Sequence, residues 1–190
     1  MKLHIKLKVM GILLCIVIMI QPARAFAQDA TLKNIIVTNT RDDLLIYLTV
    51  EGAFHEKMGS AISSGVPTSF SFFVNLYQTR DFWFDKNISE LEILHTIQYD
   101  TLKTEYIVDR SWDSNHQRVV KSFDVAKKLM AEIDSLKVIE LNRLEKGGRY
   151  QIRTKALLRK LTLPFYLHHV LFFVPWWDFD TDWYTIDFIY

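Results

Sequence analysis

Seven residues invite a chemical reading: His95, His116, the adjacent pair His168 and His169, and the alternating carboxylates Asp178, Asp180 and Asp182. Adjacent histidines on a helix point about 100° apart, so His168 and His169 cannot both reach one metal ion. Paired helical ligands want i, i+3 or i, i+4 spacing, which is absent here. The three aspartates occupy the first, third and fifth places of a calcium loop. Trp183 stands at the sixth, where that loop turns on glycine, and Ile189 at the twelfth, where a bidentate Glu belongs. They read better as a solvated turn ahead of the last strand. His95 sits in "ELEILHTIQY" on the same alternating face as Leu91, Ile93, Ile97 and Tyr99. A histidine in such a row is more often a hydrogen-bonded core residue than a general base. The chain has no nucleophile elbow, phosphate loop, dinucleotide fingerprint or helical His-pair motif. No catalytic, cofactor-binding or metal residue is assigned, and no cofactor is expected. An envelope hydrolase or metal-dependent enzyme built in space from His95, His116, Asp178, Asp180 and Asp182 is the alternative reading.

Apolar contact is the other chemistry on offer. Eleven of the last 26 residues are aromatic, in a chain that is 14% aromatic. The run from Phe165 to Val174 lies between Pro164 and Pro175 and is too short to cross a bilayer as a helix. It is apolar nearly all round, so it demands burial in the fold, in a partner or against lipid. Burial in the fold is the expectation. In "RDFWFDK" the aromatics Phe82, Trp83 and Phe84 are consecutive, and alternation cannot bury all three. These three, with Trp176 and Trp177, form the candidate binding patch. The leading functional reading is a non-enzymatic module that binds an envelope protein or an amphiphile. Contact with a membrane surface is compatible with it.

The chain has 190 residues, 49% of them hydrophobic and 24% charged, enough for one domain with a real core. Its first residues resemble a secretory leader. Lys2, Lys6 and Lys8 precede the apolar run Val9 to Ile20, and Ala25 and Ala27 suit a signal peptidase. Cleavage after Ala27 is expected, giving a signal peptide over 1–27 and one β-rich domain over 28–190 in the periplasm. An uncleaved N-terminal anchor in the inner membrane is the alternative. Cys15 is the single cysteine. It follows Leu14 in mid-run, which does not suit lipoprotein processing, and its removal excludes disulfides and thiolate chemistry. Lys2, Lys6, Lys8 and Arg24 leave with the leader and no acid does, so 23 basic residues become 19 against 22 acidic, a formal charge of −3. That balance argues against nucleic acid. No integral membrane span is expected in the mature chain.

Period-two alternation must position these residues. "NIIVTNTRDDLLIYLTVE" reads as two strands about a turn at Asn39 to Asp43. "TSFSFFVNLY", "ELEILHTIQY", "RYQIRTKALLRK" after Gly147-Gly148, and a final strand with Tyr184, Ile186, Phe188 and Tyr190 on one side follow the same rule. Two amphipathic helices interrupt them. One carries Phe54, Met58, Ala61 and Ile62 and stops at Gly65 and Pro67. The other carries Val125, Ala126, Leu129, Met130 and Ile133, with Ser122 as N-cap. The expected fold is mainly β (α+β): an antiparallel, sandwich-like domain of roughly eight strands with two or three short helices. A small outer-membrane-associated β protein is a third reading, since an aromatic last residue after alternating apolar positions is similar to a terminal barrel strand. The helices and uneven strands oppose a closed barrel.

The order of blocks carries a resemblance. "SSGVPTSFSFFVNLYQTRDFWFD", "HTIQYDTLKTEYIV", "FDVAKKLMAEID" and "LPFYLHHVLFFVPWWDFDTDWYTIDF" together resemble the bacterial family DUF4390, over essentially the whole mature chain. The resemblance implies an exported, mostly β protein of a Gram-negative bacterium, and it supplies no activity or catalytic residue. Genes of some members lie near a sensor kinase, which implies a link to envelope signalling.

Overall fold

The computed structural model describes residues 30–159 and 180–190. The expected leader with Cys15, the run from Phe165 to Val174 with His168 and His169, and Trp176, Trp177 and Asp178 lie outside the described residues. In chain order the elements are β1 (Thr31–Asn39), β2 (Asp43–Glu51), α1 (Glu56–Ser63), β3 (Thr68–Gln78), β4 (Lys86–Asp100), β5 (Glu105–Arg110) and β6 (Gln117–Val120). Then come α2 (Phe123–Ala131), β7 (Glu132–Glu140), a 3-10 turn (Leu141–Arg143), β8 (Arg149–Arg159) and β9 (Tyr184–Ile189). The strands form a three-stranded sheet, β1-β2-β7, and a six-stranded sheet, β6-β5-β4-β3-β8-β9. Every pairing is antiparallel. The mainly β, sandwich-like class read from the sequence is the one observed, with nine strands among the described residues.

Alternation decides which faces meet. Leu44, Ile46, Leu48 and Val50 of β2 are buried, as are Phe70, Phe72, Val74 and Leu76 of β3 and Tyr150, Ile152 and Ala156 of β8. Each of the Val, Leu, Ile and Phe side chains among them contributes roughly 1.5–3 kcal/mol on leaving water. A three-stranded sheet is only about 14 Å wide and a six-stranded one about 29 Å, so the small sheet cannot cover the large one. The helices fill the gap, α1 against β4 and α2 against β5 and β4. Aromatic rings join them: Phe54 lies 5.1 Å from Phe70 and 6.3 Å from Phe123, and Tyr106 lies 5.3 Å from Phe123.

Helix α1 stops as its sequence requires. Gly65 takes φ +87° and donates to Ile62 O at 2.9 Å, while Val66 N–H reaches Ala61 O at 3.1 Å. That pair of bonds satisfies carbonyls the helix leaves unpaired. Helix α2 departs from expectation in three places, the first being Val125, expected on its apolar stripe and exposed instead. Ser122 precedes it in extended geometry but makes no side-chain cap bond. Ile133, expected on the helical stripe, belongs to β7, which begins directly after Ala131. Strand β7 was hidden from a period-two reading by its own irregularity. Ser135 takes φ +59°, and the apolar face passes from Ile133 to Leu136 across two exposed residues. The same device bends β1, where Asn34 takes φ +52° at a shift between Lys33 and Ile36.

The Gly147-Gly148 turn receives the last residue, with Tyr190 N–H donating to Gly148 O at 3.1 Å. A Cβ at Gly148 would stand 2.8 Å from Glu145 O and from Tyr150 Cε2. The Tyr150 hydroxyl is itself fixed, accepting from Glu145 N–H at 2.7 Å. Gly148→Ala should therefore destabilise the fold by about 1–3 kcal/mol in urea unfolding. An unchanged midpoint would show that the turn opens freely.

Candidate functional site

His95 is fully buried on β4, opposite Phe70 on β3 and Arg110 on β5. Its Nε2 lies 2.9 Å from Trp112 Nε1 and its Nδ1 lies 3.0 Å from Met130 O. An indole nitrogen only donates and a carbonyl only accepts. Nε2 is therefore the bare nitrogen, and Nδ1–H donates to Met130. That carbonyl is one of those a helix C-terminus leaves unpaired, so His95 ties the end of α2 to the middle of the large sheet. Burial, opposed by the Met130 hydrogen bond and assisted by the Arg110 charge, holds the imidazole pKa down to about 4. Both ring nitrogens are engaged within the protein, and neither partner is a carboxylate.

The other candidates do not converge on it. His116 is exposed in the β5–β6 turn, its Nδ1 3.2 Å from Arg110 O. Asp180 and Asp182 are exposed, and Asp180 pairs with Lys155 at 2.7 Å. Asp180 bridges Leu157 beyond β8, three strand spacings or about 14 Å across the sheet from β4. The structure thus brings His95 and His116 to the Arg110 region and leaves Asp180 and Asp182 on the far side. Among the described residues, no three His, Cys, Asp or Glu side chains gather to hold a metal ion. Around Arg110 lies a network that sequence reading missed. Asp113 accepts from Arg110 and, at 3.0 Å, from Arg118, and the Arg110 guanidinium lies 5.2 Å from the Trp112 ring centre. The Asn115 N–H and the Arg118 guanidinium hold the Asp113 pKa down to about 2. The only signal was a lone Trp-Asp in the polar run "RSWDSNH".

The aromatic candidates present the opposite picture. Phe82, Trp83 and Phe84 form the tip of the β3–β4 hairpin and are 97%, 74% and 87% exposed. Trp83 and Phe84 touch only edge to face, 6.5 Å apart at 76°. Beneath them the hairpin is braced from β8. Arg149 donates to Asp81, and Arg153 donates to Asp85 at 3.0 Å while lying 4.6 Å over Tyr77. The Arg149 hydrogen bond and charge hold the Asp81 carboxyl below its ordinary range. The side chains of Arg80 and Lys86, also exposed, have no hydrogen-bond or ion-pair partner among the described residues. Elsewhere, a groove of about 420 Å³ runs between β1 and β9, the edge strands of the two sheets among the described residues, lined by Ile35, Val37, Ile186 and Phe188. None of the described candidate catalytic or binding-patch residues lines it. Among the described residues no helix is long and apolar enough to cross a membrane.

A family model described as Domain of unknown function (DUF4390) matches residues 27–187. No curated protein and no solved structure matches the chain.

Proposed function

The chain belongs to the DUF4390 family, and we propose that it is a non-enzymatic binding module of the bacterial envelope, exported to the periplasm and engaging its partner through the β3–β4 tip. The observation that carries this reading is the exposure of Phe82, Trp83 and Phe84 together. Soluble domains rarely leave contiguous large aromatics in water, and where they do the patch is commonly an interaction site. The tip is also prepared for contact. Ion pairs from Arg149 and Arg153 hold its base, so little ordering is left for a partner to impose. The hydrolase or metal-enzyme reading draws less support, because His95 is enclosed with both nitrogens engaged and Asp180 stands across the sheet.

Co-sedimentation with envelope vesicles, which contain native protein and lipid, tests the proposal. The variant F82S/W83S/F84S should lose at least about tenfold of the wild-type retention, the scale expected when several aromatic contacts vanish. Equal retention of the two proteins would remove the tip from the function.

A further inference from the structure

We infer that the hairpin tip seats its three aromatics in the interfacial layer of an anionic lipid bilayer, with Arg80 and Lys86 against the headgroup phosphates. This rests on the tip being the binding surface, and it names the partner.

The geometry points to a medium without fixed shape. The tip offers no flat face: the ring planes of Trp83 and Phe84 cross at 76° with their centres 6.5 Å apart, beside a Phe82 that is almost wholly exposed. A rigid protein pocket would have to surround the tip on several sides to enclose all three. The headgroup and upper acyl region of a bilayer closes around any such wedge. Tryptophan suits that depth in particular, since its ring is apolar while its N–H still seeks an acceptor.

The charges select the kind of bilayer. Asp81 and Asp85 are the acids nearest the aromatics, and Arg149 and Arg153 occupy both. Arg80 and Lys86 flank the same aromatics, and their side chains have no partner among the described residues. The tip therefore offers two open cations and no open anion, on either side of an apolar wedge. Membrane-seeking segments combine the same two elements, apolar side chains for depth and basic ones for anionic headgroups.

Vesicles free of protein separate this from the broader reading. The full chain is sedimented with vesicles of phosphatidylcholine alone and of equimolar phosphatidylcholine and phosphatidylglycerol. Wild type should prefer the anionic vesicles. F82S/W83S/F84S should lose at least about tenfold on both compositions. R80Q/K86Q should lose about twenty-five-fold on the anionic vesicles, roughly fivefold per basic residue, and nothing on the neutral ones. All these side chains are exposed, so circular dichroism should report an unaltered fold. If envelope vesicles discriminate the aromatic variant but protein-free vesicles bind it as they bind wild type, the partner is a protein and the lipid inference falls while the binding reading stands. If neither preparation discriminates the variants, both fall.

Discussion

Replacing Phe72 with Ala is expected to lower stability by about 3–5 kcal/mol, among the largest effects of any single substitution in this chain. The residue is fully buried at the middle of β3, a strand with hydrogen-bonded neighbours on both sides. It stands opposite Ile93 on β4 and Ala156 on β8, and its ring lies 4.8 Å from the imidazole of His95. Truncation leaves a cavity that neither flanking strand can move in to fill, because both pair with β3 in unbroken register around Phe72. Urea unfolding reads the effect directly. A loss under about 1 kcal/mol would mean that the two sheets do not share one core there. Phe72→Leu, which keeps most of the volume, should cost less than about 1.5 kcal/mol.

Acidification should act through His95. Its imidazole titrates at about 4 in the folded chain against 6.5 for the free side chain. The unfolded chain therefore takes up the proton first as pH falls. The neutral ring's contribution is complete above pH 6.5 and is withdrawn as pH drops from 6.5 to 4, a loss on the order of 2–3 kcal/mol. Protonation also sets a new N–H against Trp112 Nε1–H, where Nε2 had accepted. His95→Gln separates titration from packing, since an amide can donate to Met130 O and accept from Trp112 without changing charge. Unfolding midpoints measured between pH 7 and 4.5 should fall for wild type and stay nearly level for the variant. Parallel slopes in the two proteins would place the pH dependence elsewhere. Asp113 belongs to a different window. Its pKa is lowered from 3.8 to about 2, so its contribution is held above pH 3.8 and lost only below it.

Strands with unbroken alternation were legible from sequence: β2, β3, β4, β8 and β9 each show period two, and each is present. What was obscured has a local cause. In β7 the positive φ of Ser135 shifts the apolar face by one residue, so Ile133 completes a helical stripe on paper and a strand in space. Strands β5 and β6 are short, at six and four residues, and their polar surroundings left too few positions for a period to emerge. Gly65 announced the end of α1 because a left-handed residue there has one natural occupant. The candidate site divides the same way. Three consecutive aromatics cannot all be buried by alternation, so exposure of at least one of Phe82, Trp83 and Phe84 was legible; the exposure of all three was not. The partners of His95 were not legible either. Trp112 is 17 residues away and Met130 is 35, and only the closing of α2 onto the sheet brings them together. Which charges around the tip remain open was equally invisible, because Arg149 and Arg153 arrive from β8, 68 residues along the chain from the acids they occupy.

The central claim is that the tip aromatics serve contact and not folding. Measuring the urea stability of F82S/W83S/F84S and its retention on envelope vesicles in one preparation tests that claim most directly. Stability should stay within about 0.5 kcal/mol of wild type, as for exposed substitutions generally, while retention collapses. A drop of 2 kcal/mol or more with retention intact would make these residues part of the fold and contradict the account.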